Sequence, residues 1–112
     1  MANYSVLMSV YQKEKPDFLL QSMESIFSQT VPTDDFVLVC DGPLTAELDA
    51  VIDQFQISHG NILHVLRLKT NQGLHHALNT GLHACRHELI ARMDSDDIAL
   101  PHRCALQLQQ LE

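Results

Sequence analysis

The chain has 112 residues, 46% of them hydrophobic and 19% charged, with four glycines and four prolines. A chain of this length forms one domain that buries about two thirds of its surface without needing a metal or disulfides, and the composition excludes a disordered or collagen-like chain. Seven basic against fourteen acidic residues give a formal charge of -7 without a basic stripe, which argues against a nucleic-acid partner and against polybasic membrane docking.

Ser5 to Tyr11 (SVLMSVY) reads as a short buried strand. Pro16 suits the first turn of a helix, and Leu19, Leu20, Met23, Ile26 and Phe27 recur at helical steps on one face. Pro32 ends that segment by disfavouring helical geometry at Val31. Phe36 to Cys40 (FVLVC) is apolar throughout, as a strand covered on both faces should be. Asp41-Gly42-Pro43 breaks it. Leu44, Leu48, Val51, Ile52 and Phe55 mark a second helix, expected to end before His59-Gly60-Asn61. Ile62 to Leu68 is a third strand, near an edge because of its polar members. Asn71-Gln72-Gly73 is a turn. Leu74, Ala77, Leu78, Gly81 and Leu82 are expected on the buried face of a third helix. Glu88 to Met93 is a fourth strand, and Pro101 opens a last helix with Cys104, Leu108 and Leu111 at helical spacing.

This βαβαβαβα order argues a Rossmann-like α/β domain over residues 1–112, with a mostly parallel sheet and flanking helices. Such sheets bind ligands beyond the carboxyl ends of their strands. Three segments fall there: Tyr11 to Lys15, Asp41-Gly42, and Asp94 to Asp97.

Asp94, Asp96 and Asp97 place three carboxylates within four residues. They repel one another unless a cation or solvent compensates. A hard divalent ion such as Mg²⁺ or Mn²⁺ would take one or two of them and complete its shell with phosphate and water. A solvated acidic turn is the competing reading. An EF-hand fails on spacing, because Ile98 and Ala105 stand where oxygen ligands are required. His83 and His87 are four apart, a metal-ligand spacing on a helix, but no convincing third ligand accompanies them. Asn71 and Asn79 read first as turn or cap residues. Arg92 stands two residues before the acidic turn, near enough to pair with it.

The order of SVLMSVY, SIFSQT, FVLVCDG, NQGLHHALNTGL and ELIARMDSDDIALPHR resembles the nucleotide-binding half of a family 2 glycosyltransferase with the GT-A fold. The resemblance runs from about Tyr4 to Leu111 and is nearest to bacterial enzymes of exopolysaccharide and lipopolysaccharide synthesis. It implies a metal-dependent, inverting transfer of sugar from a nucleoside-diphosphate sugar, expected to be a UDP-sugar, to a saccharide acceptor. Backbone around Val10 and Tyr11 would sit against the base or ribose. Asp41 would hydrogen-bond base or ribose. Asp94 and Asp96 match the D-x-D signature, Asp96 as direct ligand of Mg²⁺ or Mn²⁺ and Asp94 toward the ribose or the metal's waters. The run Cys40-Asp41-Gly42-Pro43 departs from the family's usual acids and serine, and Leu78 replaces a basic residue common before the second Asn of its segment.

The resemblance also implies that the acceptor half and the catalytic general base lie beyond residue 112. The 112 residues alone are then expected to be inactive, and to self-associate through a surface left uncovered. Two other classes stay open: a non-catalytic nucleotide-binding module, and a phosphate-transferring α/β protein using Asp94 or Asp96 as nucleophile. Three well-separated cysteines (Cys40, Cys85 and Cys104) without a C-x-x-C pair fit a reducing compartment. No apolar run approaches the ~18 residues of a membrane span, and Met-Ala-Asn-Tyr lacks a basic leader. The expected location is cytoplasmic, including the inner membrane face.

Overall fold

The computed structural model describes residues 3–95. In chain order it contains β1 (Ser5–Val10), α1 (Pro16–Phe27), β2 (Asp35–Cys40), α2 (Ala46–His59), β3 (Leu63–Arg67), α3 (Leu74–Ala84) and β4 (Ile90–Asp94). The last helix expected from Pro101 lies outside the described residues.

The four strands form one parallel sheet in the order β3-β2-β1-β4. The alternating side chains of β1 and β2 sort into two cores. Val6, Met8 and Val10 join Phe36, Leu38 and Cys40 against Leu19, Met23 and Ile26 of α1 and Leu48, Ile52 and Phe55 of α2. On the other face Leu7, Val37 and Val39 pack with Ala77 of α3. Every residue of β2 is buried, as its unbroken apolar run requires, whereas the edge strands β3 and β4 mix buried with exposed positions.

Local chemistry sets the element ends. Pro16 opens α1 with its φ already helical and no amide hydrogen to orphan. Thr45 caps α2 by accepting a hydrogen bond from the Leu48 amide at 3.2 Å, so that helix starts later than its apolar run. The same helix runs through His59, past its expected end. There the imidazole stacks on Phe27 with ring centroids 4.0 Å apart and nearly parallel planes, a contact that holds the added residue.

The expected buried face of α3 holds only in part. Ala77 and Gly81 are buried, but Leu74 and Leu82 stay about half exposed, at 56% and 45%. The helix meets the sheet through its small residues. A methyl on Gly81 would come within 2.4 Å of Leu7 Cδ1 and 2.7 Å of Val39 Cγ2, and the leucines flank this line of closest approach.

At the amino ends of the strands a polar network ties α3–β4 to β2. Asp35, fully buried, accepts from Ser5 Oγ at 2.6 Å and from the Arg86 amide at 2.8 Å through Oδ2. Its Oδ1 accepts no hydrogen bond among the described residues and faces His64 Nε2 at 3.5 Å and Arg86 Nε at 3.8 Å. Asp34 meets His87 Nε2 at 2.7 Å and Arg86 Nη2 at 3.6 Å. His87 therefore lies past the end of α3 and shares no helical face with His83. Its ring is taken up by the Asp34 carboxylate, and no cluster of three metal-ligating side chains occurs among the described residues.

Candidate functional site

The sheet order creates the site. The chain leaves β1 through α1 to reach β2 on one side, then crosses by α3 from β3 to β4 on the other side of β1. Loops diverge at this switch point and leave a crevice beyond the carboxyl ends of β1 and β4. A cleft of about 440 Å³ opens there. Val10 and Tyr11 line it from the end of β1, Glu14 from the next loop, and Asp41 from the end of β2. Asn71, Gly73 and Leu74 line it from the start of α3, and Asp94 and Ser95 from the end of β4.

Of the residues singled out in the sequence, Val10, Tyr11, Asp41 and Asp94 thus meet in one cleft. Asp96 and Asp97 lie outside the described residues. Val10 is buried, and its carbonyl accepts from the Asp41 amide at 2.8 Å, which fixes the two strand ends together. Tyr11 is 44% exposed and brings an aromatic ring to the lining of the cleft. Asn79 instead lines a separate small groove with Leu7, Leu78 and Arg92.

Asp41 is only 5% exposed, and both its oxygens are engaged. Oδ1 accepts from the Gln72 amide at 2.8 Å and Oδ2 from the Gly73 amide at 3.0 Å. Asn71 Oδ1 adds a 3.1 Å acceptor for the same Gly73 amide, the turn role its sequence suggested. The two loops touch closely. Gly42 has φ +91°, and a methyl there would sit 2.7 Å from the Asn71 amide nitrogen. Asp41 therefore shapes the cleft wall as well as facing the cleft. Beside it Cys40 is core: burial pushes its thiol up to about 11, which leaves it protonated and unreactive.

Asp94 ends β4 in register with Ser9 and is exposed at the cleft. Ser95, 7% exposed, is held on two sides: its hydroxyl donates to Glu14 Oε2, and its carbonyl accepts from Ser22 Oγ at 2.8 Å. Sequence reasoning placed the segment Tyr11 to Lys15 here without singling out Glu14, and it missed Ser22. Ser22 had a signal, a hydroxyl within the apolar stripe of Leu19, Met23 and Ile26.

No imidazole or thiolate lines the cleft among the described residues. Its donors are carboxylate, hydroxyl and amide groups. That chemistry fits a hard cation such as Mg²⁺ or Mn²⁺, which needs one or two carboxylates and fills its shell with phosphate and water.

Comparison with known proteins adds to this geometry. The model of the family "Glycosyl transferase family 2" matches residues 5–112. The amylovoran biosynthesis glycosyltransferase AmsE of Erwinia amylovora is 45% identical over 111 residues, covering 97% of this chain and 40% of that protein. A UDP-Gal:alpha-D-GlcNAc-diphosphoundecaprenol beta-1,3-galactosyltransferase of Escherichia coli is 43% identical over 100 residues, covering 89% of this chain and 36% of that protein. This chain thus spans well under half the length of these relatives. The mannosyltransferase PcManGT of Pyrobaculum calidifontis, solved with GDP-Man and Mn²⁺, superposes with a TM-score of 0.77 at 22% identity, over 93% of this chain and 30% of that one. The fold is that of GT-A enzymes, the all-parallel version of the expected Rossmann-like sheet. With a family model matched across both the cleft loops and the sheet that carries them, the chain belongs to glycosyl transferase family 2.

Proposed function

We propose that this chain is the donor-nucleotide half of an enzyme that moves a sugar from a UDP-sugar to a saccharide acceptor in bacterial surface polysaccharide synthesis. The observation that carries the reading is the meeting of Val10, Tyr11, Asp41 and Asp94 in one cleft at the switch point of the sheet. Tyr11 would hold the base or ribose by its exposed ring. Asp41 would hold the wall that faces the base and offer its remaining lone pairs to base or ribose. Asp94, with Asp96 beyond the described residues, would hold a divalent cation that neutralises the leaving diphosphate. The acceptor hydroxyl oxygen would bond to the anomeric carbon as the bond to the phosphate oxygen breaks, with inversion. The carboxylate that takes the hydroxyl proton is assigned to the part of the relatives that this chain does not span. The names of AmsE and the E. coli galactosyltransferase support the pathway and the UDP donor, and PcManGT supports Mn²⁺. We place the reaction in the cytoplasm, at the inner membrane face. Self-association through uncovered surface belongs to the same reading.

The test is calorimetric titration with UDP, GDP and ADP, with and without Mn²⁺, beside Asp94→Asn and Asp96→Ala. The expected outcome is Mn²⁺-dependent UDP binding, weakened at least about tenfold in either variant. Binding that ignores both the metal and these substitutions overturns the assignment.

A further inference from the structure

We infer that Glu14 is a positioning residue for the acidic turn at the end of β4, acting through Ser95 and not as a metal or substrate ligand. The inference rests on the donor-site reading above.

Asp94 stands exposed at the lip of the cleft, and its carboxylate takes no hydrogen bond or ion pair among the described residues. The next residue is fixed. Ser95 is 7% exposed and is gripped from two elements, by Glu14 through its hydroxyl and by Ser22 through its carbonyl. Ser22 is fully buried on α1, and its hydroxyl lies between the Ser95 carbonyl at 2.8 Å and the Leu19 carbonyl at 3.0 Å. Glu14 is oriented in turn, because its Oε1 accepts from the Lys15 amide at 3.0 Å while Oε2 takes the Ser95 hydroxyl. Both oxygens of Glu14 are thus engaged within the chain, one by its own loop and one by the end of β4. Glu14 forms no ion pair among the described residues. Its carboxylate accepts from a hydroxyl and an amide, charge-assisted hydrogen bonds that hold its geometry. The result is a bridge from the β1–α1 loop and α1 to the end of β4, across the mouth of the cleft. Groups bonded directly to a ligating side chain typically control affinity by ~10–100-fold, and Glu14 holds the residue next to one, which points to the lower end of that range.

The experiment is titration of UDP in Mn²⁺ with the wild-type chain, Glu14→Ala, Ser95→Ala, the double variant and Glu14→Gln, each checked for folding by far-ultraviolet circular dichroism. Each single alanine variant is expected to weaken binding about tenfold. The double variant should bind no more weakly than either single one, because both remove the same contact. Glu14→Gln keeps a carbonyl for the Ser95 hydroxyl and should recover most of the affinity. Wild-type affinity in Glu14→Ala overturns the inference. So does a double variant whose loss is the product of the two single losses, since Glu14 would then touch the ligand itself. Absence of UDP binding by the wild-type chain overturns the donor-site reading and this role with it, whereas a failure confined to the variants overturns this role alone.

Discussion

At the amino ends of the strands Asp34 and Asp35 face Arg86, His87 and His64, whereas at the carboxyl ends Asp41 and Glu14 face backbone amides and a serine hydroxyl and Asp94 stands exposed at the cleft. The first end spends each carboxylate on a cation of its own chain and closes the fold. The second leaves its negative charge without a protein cation among the described residues, and keeps a 440 Å³ cleft open beside it. Acids neutralised from within serve structure. Acids held in place but not neutralised are available to a positively charged partner, which fits the cation proposed above.

Substitutions at the two ends should therefore separate stability from binding. The largest loss of stability is expected from Asp35→Ala, which strips a fully buried carboxylate from Ser5, Arg86 and His64. We expect about 3 kcal/mol, read as a shift in the urea midpoint at unchanged slope. Asp41→Ala frees the Gln72 and Gly73 amides at a site water can reach, and should cost about 2 kcal/mol together with nucleotide affinity. Equal costs for Asp35→Ala and Asp41→Ala would break the contrast. The smallest effect belongs to Asp34. Its hydrogen bond to His87 holds its carboxyl below the ordinary 3.8, with the nearby His87 and Arg86 charges adding to the effect. The folded state favours the ionised form, so this contribution is complete above that value and is lost as pH falls below about 4. Asp34→Asn should lower neutral-pH stability by under about 1 kcal/mol and flatten the acid limb of the stability curve, measured by thermal melts across pH.

Much of this was legible beforehand, because it depends on neighbours in sequence. The apolar run from Phe36 to Cys40 announced a central strand, Pro16 a helix start, and the polar members of Leu63–Arg67 an edge. The positions of Tyr11, Asp41 and Asp94 followed from the rule that strand ends carry ligands. What stayed hidden depends on strand order. The brace of Glu14 on Ser95 exists only because β4 pairs with β1, and Asp35 looks like a turn residue until Arg86 is folded over it. The extension of α2 to His59 needed Phe27 from another helix. The leucines flanking α3 were misjudged because periodicity marks a stripe, while the approach at Gly81 chooses which part of it is covered.

The pairing of β1 with β4 also sets an order of assembly. Ser22 meets Ser95 across 73 positions, Glu14 meets Ser95 across 81, and Ser5 meets His87 across 82. A ribosome delivering this chain releases β1, β2 and both helices of one layer well before the residues that close the mouth of the cleft. Contacts of such long separation form slowly. The nascent protein would thus hold a nearly complete sheet with an unfinished edge along β1. Until β4 arrives, that edge is open to any strand that reaches it first.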